Sequence, residues 1–293
     1  MQVEHAIILA AGKGTRMGEI GKLLAKPLWP FFGFTLLELQ VKFLSERFGI
    51  KNFYVNTHHL SDQFSRIKLE NVSIIYEPTL LDQGGGILNI TKRHDLWDLP
   101  ILINNADQFY FFNEEIFVEG IKKLNRSSAV LFGLEVLKQD GYNELIVDSS
   151  ESLKGIKKNQ ATDSKTFSTY SGMALLKIKN QKYDGEVIPF FESVGDFREK
   201  LVLVQKVKES EYYDFGKLDS YFDLCADTMN LIVNEETSSV TSLIGEAGVK
   251  YCLDFGLDFR SKNRAKSIET LRLDQGTVWR EGLTIKEQVE SRK

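Results

Sequence analysis

The chain has 293 residues, with 37 Lys and Arg against 41 Asp and Glu and a formal net charge of −4, so it lacks the positive field that collects nucleic acid or anionic lipid. Its composition of 42% hydrophobic, 11% aromatic and 27% charged residues excludes collagen-like, low-complexity and wholly disordered chains; at about 150 residues per domain the length suits two domains, or one large α/β domain with an appendage. Cys225 and Cys252, the only cysteines, lie 27 residues apart, which excludes a disulfide framework and Cys-x-x-Cys chemistry and points to a reducing cytoplasm.

The first apolar stretch, residues 6–11, is too short for a membrane span and has no basic leader, so neither a secretion signal nor membrane insertion is expected. Residues 6–9 read as a buried strand, and Leu36, Leu39, Phe43 and Leu44 share one face of a helix that Gly49 can end. Residues 53–56 read as the next strand, Ser61 as the cap of a short helix, residues 72–76 as a third strand, and residues 87–94 as a helix following a triple-glycine loop. A fourth strand at 101–104, a helix at 114–124 and a strand at 129–134 complete the alternation. That is the pattern of βαβ units, predicting an α/β fold with a doubly wound, mainly parallel, Rossmann-like sheet. Residues 140–167 are polar, carry Gly141 and Gly155, and read as a small excursion of short strands on the substrate side. Strands at 168–177 and 201–205 and a helix at 219–233 follow.

A domain boundary is expected near residue 234, dividing the chain into residues 1–233 and a C-terminal extension of residues 234–293. Val249, Tyr251, Leu253, Phe255, Leu257 and Phe259 alternate with mostly polar or small residues, which predicts a strand with one buried face, packed on the core or mediating self-association into a homo-oligomer.

The segment Leu9-Ala10-Ala11-Gly12-Lys13-Gly14-Thr15-Arg16-Met17 follows directly on the first strand, at the sheet edge where open α/β folds bind ligands. Glycines let backbone N–H groups close on a phosphate, and Lys13 and Arg16 add charge; the same spacing also serves an ordinary strand-to-helix turn. A dinucleotide fingerprint needs glycine where Met17 stands, and a P-loop needs Gly-Lys-Ser/Thr after four intervening residues, so both are excluded. Asp107, just past the fourth strand, and Asp214, before the last helix, offer hard oxygen ligands suited to Mg²⁺, or to helix capping. His58 and His59 point in different directions and lack a third ligand at zinc-like spacing, which makes them a structural pair. Phe109, Tyr110, Phe111 and Phe112 suit either the floor of a sugar site or the core.

Leu-Ala-Ala-Gly-x-Gly-Thr-Arg-Met, followed by Lys26-Pro27-Leu28, resembles the signature of the sugar-1-phosphate nucleotidyltransferases. The resemblance continues through Asn56-Thr57-His58-His59-Leu60, Gly84-Gly85-Gly86, Asn105-Ala106-Asp107, Ser171-Gly172 and Asp214-Phe215-Gly216, covering about residues 3–230. The triple glycine is most similar to the subgroup containing N-acetylmuramate-1-phosphate uridylyltransferase, with hexose- and heptose-1-phosphate guanylyltransferases and phosphocholine cytidylyltransferases as rivals. Three places depart from the pattern: Gly18-Glu19-Ile20-Gly21, where relatives carry a proline, Ala106 in place of glycine, and Lys217 in place of threonine.

The resemblance implies transfer of a nucleoside monophosphate from an NTP to a sugar 1-phosphate, with release of pyrophosphate. It assigns Asp107 and Asp214 to Mg²⁺, Ala10, Ala11, Gly12, Gly14, Thr15, Gln83, Gly84 and Gly85 to the nucleotide, and Asn105, Ser171 and Gly172 to the sugar. Because the attacking phosphate arrives already ionised, cations carry the catalysis: Arg16 on the β- and γ-phosphates and Lys26 near the α-phosphate. Lys157 and Lys158 are expected to be exposed charges. A protein of different class, a non-catalytic nucleotide-sugar-binding regulator, would keep the fold without turnover.

Overall fold

The computed structural model describes residues 2–17, 20–137, 142–158, 166–254, 272–274 and 277–278. Strand β1 (His5–Leu9) is followed by a short β2 (Pro30–Phe31) and β3 (Phe34–Thr35) hairpin, helix α1 (Leu36–Phe48), β4 (Asn52–Thr57), β5 (Val72–Tyr76), α2 (Asp82–Arg93) and β6 (Pro100–Asn105). Then come β7 (Gln108–Phe112), α3 (Glu114–Leu124), β8 (Ala129–Leu137), the hairpin β9 (Asn143–Val147) and β10 (Leu153–Lys158), and the long β11 (Thr166–Lys177). Strands β12 (Val202–Lys206) and β13 (Ser210–Asp214) lead into α4 (Leu218–Val233) and α5 (Ser239–Asp254), with β14 (Arg272–Asp274) and β15 (Thr277–Val278) pairing near the end.

The local signals that start and stop these elements are readable. Thr35 and Glu38 form a reciprocal capping box on α1, with Glu38 N–H donating to Thr35 Oγ1 at 3.1 Å and Thr35 N–H to Glu38 Oε2 at 2.7 Å. Gly49 ends the helix at φ 68° in the left-handed region, which costs glycine little. Asn113 caps α3 by accepting from Glu115 N–H at 3.0 Å, and acids at its start and lysines at its end suit the helix dipole.

In the main sheet β4, β1 and β6 run parallel side by side, with β5 parallel to β4 at one edge. Beyond β6 lies β11, antiparallel both to β6 and to β8, while β12 is parallel to β8; one reversed strand thus interrupts an otherwise parallel array. The doubly wound, mainly parallel expectation holds, and the β9–β10 hairpin joins the first half of β11 as the expected excursion. Side chains alternate along the strands between two cores: Ala6, Ile8 and Leu102 meet α1, α3, α4 and α5, whereas Ile7, Ile101 and Ile103 meet α2 and Tyr183, Phe190 and Val194. Phe109, Tyr110, Phe111 and Phe112 are all buried in the first of these cores, which settles them as packing residues. No helix among the described residues is long and apolar enough to cross a membrane.

Three expectations need correction. The triple glycine is not a loop before α2: the helix begins at Asp82, so Gly84, Gly85 and Gly86 form its first turns and are buried. Ser61 does not cap its segment; residues 61–66 are 3-10 helix, and Leu60, at φ 52°, holds the cap position. Val249, Tyr251 and Leu253 lie in α5 rather than in a strand, while Phe255, Leu257 and Phe259 lie outside the described residues. Two helical stretches meet there at a kink on Gly245, φ 61°, and the second carries the chain on from Val249. Helix α5 buries Val240, Leu243 and Ile244 in the core shared with α1 and α4.

Candidate active site

Chain order runs from β1 to β4 and β5 on one side and then returns to β6 on the other, so the sheet has its topological switch between β1 and β6. Open α/β sheets present a crevice at the carboxyl ends of such a pair. Here that crevice is a cavity of about 520 Å³, lined by the glycine loop from Ala10 to Arg16, by Lys26, Gln83, Asn105 and Asp107.

The loop is shaped by its own backbone. Gly14 has φ 63°, and Met17 N–H closes a turn on the Gly14 carbonyl at 2.9 Å, leaving Arg16 exposed at the cavity. Of the unusual Gly18-Glu19-Ile20-Gly21 stretch, Gly18 and Glu19 lie outside the described residues, and residues 20–22 form a 3-10 turn. Lys26 opens another 3-10 turn with Pro27 behind it. Gln63 holds this segment by accepting from Ala25 N–H at 3.0 Å and donating to the Leu23 carbonyl at 2.8 Å.

Lys26 Nζ is ion-paired with Asp107 Oδ2, their side chains 15% and 14% exposed. The cation expected on the α-phosphate and the acid expected on the metal therefore hold each other in the free protein. Such partial burial makes the pair more than a surface contact, because screening by water is reduced.

The second acid arrives from the other end of the chain. Strands β13 and β7 form an antiparallel ladder in which Asp214 stands opposite Gln108, and Phe215 N–H donates to the Asp107 carbonyl at 2.9 Å. Asp214 Oδ1 accepts from Gly216 N–H at 2.7 Å and Oδ2 from the Tyr142 hydroxyl at 3.3 Å. Burial first, then the Asp214 charge, push the Tyr142 phenol above its ordinary range, so it remains a donor. The Arg16 guanidinium lies over Gly216: a Cβ built there would stand 3.4 Å from Nη2.

Asp214 lines an adjoining cavity of about 430 Å³ that shares Arg16, Gln83, Asn105 and Gln108 with the first and extends to Tyr142, Tyr170, Gly172 and Lys217. Together they make one trough, and Arg16, Lys26, Asp107 and Asp214 all line it. Among the described residues no group of three or more His, Cys, Asp and Glu could form a metal cage. Two carboxylates on one trough nevertheless suit Mg²⁺, which takes one or two carboxylates and completes its shell with water and phosphate oxygens.

The remaining expected site residues divide. Ala10, Ala11, Gly12, Gly14, Thr15 and Gln83 line the first cavity, Asn105 lines both, and Gly172 lines the second. Gly84 and Gly85 do not line either one: a Cβ at Gly84 would meet Ser193 Oγ at 2.0 Å and one at Gly85 the Glu186 carbonyl at 2.6 Å, so they let α2 pack against the segment 183–193. Ser171 is 1% exposed, and its hydroxyl donates to the Phe132 carbonyl at 2.8 Å, which turns it into the core and away from a sugar. Lys157 and Lys158 are exposed on β10 and do not line the trough. His58 and His59 meet the backbone carbonyls of Glu77 and Gly21 at 2.9 and 2.8 Å, as expected of a structural pair. Sequence reasoning gave no role to Gln63, Gln108 or Tyr142, since none carries a periodic or motif signal; their positions follow from contacts 38 to 72 residues away in two cases and from the β7–β13 ladder in the third.

This trough lies at the switch point of a doubly wound α/β sheet. Residues 6–130 match the model of the MobA-like NTP transferase domain family. A bifunctional sugar-1-phosphate nucleotidylyltransferase/acetyltransferase of Sulfurisphaera tokodaii is 25% identical over 151 residues, 52% of this chain, and the chain spans about a third (35%) of that relative's length. HddC from Yersinia pseudotuberculosis shares the fold at 22% identity and TM-score 0.62, covering 77% of this chain and 99% of its own; its complex with GMP-PN gives 21%, 0.61 and the same coverage. A putative glucose-1-phosphate thymidylyltransferase from Bacillus anthracis, solved with sucrose, shares the fold at 16% identity and TM-score 0.61, covering 76% of this chain and 94% of its own.

Proposed function

We propose that the chain transfers a nucleoside monophosphate from an NTP to a sugar 1-phosphate, releasing pyrophosphate. The observation that carries this reading is the convergence of Arg16, Lys26, Asp107 and Asp214 on one trough with two adjoining cavities, room for a donor and an acceptor side by side. The acceptor's ionised phosphate oxygen forms the new bond to the α-phosphorus, and the bond from that phosphorus to the bridging oxygen of the β-phosphate breaks. No side-chain nucleophile or strong base is required; catalysis rests on alignment and on neutralising charge.

The glycine loop offers backbone donors to the triphosphate, and the planar fork of Arg16 suits the β- and γ-phosphates and the departing pyrophosphate. Lys26 would supply a point charge near the α-phosphate. Asp107 and Asp214 would hold Mg²⁺, which when bound neutralises the phosphate oxygens. Asn105, Gln108 and Gly172 form the wall toward the acceptor.

Within this class, the first pair to test is UTP with an amino sugar such as N-acetylmuramate 1-phosphate, on the resemblance of the triple-glycine stretch. Guanylyl transfer to a hexose or heptose 1-phosphate is second, since HddC was solved with GMP-PN. Arg16 and Lys217 on the acceptor-side cavity disfavour a cationic acceptor, although its aromatic residues keep phosphocholine in the panel. The test measures pyrophosphate release across triphosphates and acceptors with Mg²⁺ present. Turnover with one pair is expected; binding without release in every combination would replace this reading with the non-catalytic regulator.

A further inference from the structure

Glu77 is a carboxylate with no exposed surface, and the proposed reaction makes no use of it. A buried charge is costly unless hydrogen-bonded, and its partners lead straight to the nucleotide loop. Asn56 Nδ2 donates to Glu77 Oε1 at 2.9 Å, Leu81 N–H donates to Oε2 at 3.3 Å, and Asn56 Oδ1 accepts from Ala10 N–H at 2.8 Å. A carboxamide offers a donor end and an acceptor end of nearly equal shape. Both Glu77 oxygens accept from N–H groups, so the carboxylate and the Ala10 N–H select the same orientation of Asn56.

The third glycine of the triplet belongs to the same arrangement. A Cβ at Gly86 would stand 2.7 Å from Asn56 Nδ2 and 2.8 Å from Glu77 Oε1. The Glu77 backbone is fixed as well: its N–H donates to the Thr57 carbonyl at 2.8 Å and its own carbonyl meets His58 Nδ1 at 2.9 Å.

We propose that Glu77 is a positioning residue: through Asn56 it fixes the Ala10 N–H, where β1 turns into the glycine loop, and Gly86 leaves this couple its space. The inference rests on the nucleotidyltransferase reading only in taking that loop as the seat of the triphosphate.

An exchange of partners tests it. In the double variant Asn56→Asp/Glu77→Gln every hydrogen bond survives, with donor and acceptor reversed only between positions 56 and 77: the carboxylate at 56 accepts from Ala10 and from the new amide, whose oxygen accepts from Leu81. Glu77→Gln alone sets an N–H against another donor, and Asn56→Asp alone sets two carboxylates together. Binding of Mg·UTP and Mg·GTP to the full chain is measured by calorimetry, with the melting temperature and the Ala10 amide resonance recorded beside it. Each single change is expected to weaken the nucleotide that binds by about tenfold, the scale of one disrupted buried hydrogen bond, and to move the Ala10 resonance; the double variant restores both.

Single variants that lower the melting temperature while leaving affinity and resonance unmoved would overturn the proposal, as would a double variant that regains stability without regaining either. Should a single variant fail to fold, Gly86→Ala is the substitute and is expected to move the Ala10 resonance in the same way. If neither nucleotide binds even the unaltered chain, the uridylyl and guanylyl readings fail on their own, and the Ala10 resonance still decides the couple.

Discussion

The two sides of the trough are built by different means. On the side proposed for the nucleotide most groups sit on, or immediately after, a central strand: Ala10 to Arg16 after β1, Asn56 on β4, Asp107 after β6, with Lys26 on a 3-10 turn and Gln83 on α2 beside them. A parallel ladder buried on both faces sets these positions, and the intervening backbone is only a few residues long. On the acceptor side the wall is gathered from the β9–β10 hairpin, from β11 with its irregularity between Tyr170 and Ala174, and from β13. There the pins are side chains, such as the Tyr212 hydroxyl on the Ser171 carbonyl at 3.3 Å and Tyr142 on Asp214. On the proposed function, local backbone would hold the group common to all nucleoside triphosphates, and tertiary contacts would shape the part that distinguishes one acceptor from another.

Arg16 spans both sides, so its removal should break the distinction. Arg16→Ala is expected to lower kcat/KM by roughly 10²-fold or more with every acceptor, the scale of losing one charge-stabilising donor; unchanged turnover in the purified variant would remove it from the mechanism. Asp214→Asn is expected to cost on the order of 10²-fold in kcat with little change in melting temperature, and a Mg²⁺ titration should show a raised requirement if the acid serves the ion.

Gly172→Ala sharpens the comparison. Its φ of 88° is strained for any other residue, and a Cβ would come within 1.9 Å of Gln108 Oε1, so the amide must move into the acceptor cavity. Steady-state kinetics should show the acceptor KM rising about tenfold with the nucleotide KM held, alongside a stability loss of about 1–3 kcal/mol. Equal changes in both constants would mean that the two sides are not separable.

The smallest effect concerns β13 from behind. Burial pushes the Glu211 carboxyl up, but hydrogen bonds from Ser239 and the Tyr213 hydroxyl outweigh it and leave the pKa below its ordinary value. A lowered folded-state pKa contributes stability above the unfolded value, and that contribution disappears as pH falls through the folded value. The melting-temperature gap between the native chain and Glu211→Gln should therefore be present at neutral pH and shrink below the usual carboxylate range; a constant gap would rule the linkage out.

Much of this architecture was legible because strand-length apolar runs and caps speak locally. Val72–Tyr76 and Glu114–Leu124 have the bounds the pattern predicts, and Gly49 ends α1 where expected. The glycine loop and Asp107 were readable because each follows a recognisable strand; β13, which ends in Asp214, was not read, and that acid stood out only by the resemblance and the helix after it. What misled was glycine itself: Gly84 and Gly85 suggested an open surface, but the missing side chains admit a neighbouring segment instead. Ser171 misled for a similar reason, since a hydroxyl on a strand gives no sign of which core carbonyl it will find. The alternation from Val249 failed because a two-residue period over so few apolar residues does not by itself separate a strand from a helix, and residues 249–254 are helical.

The β7–β13 ladder has a consequence for inheritance of the fold. Its five rungs place Asp214 opposite Gln108 and Tyr213 opposite Phe109, so a slip of one position would offer a phenol where an acid is needed and turn the acid toward grease. An insertion or deletion between Lys206 and Ser210, harmless in most surface connections, would act here like a misprinted scale on a ruler. The short tether is thus held to its length by the chemistry at its far end.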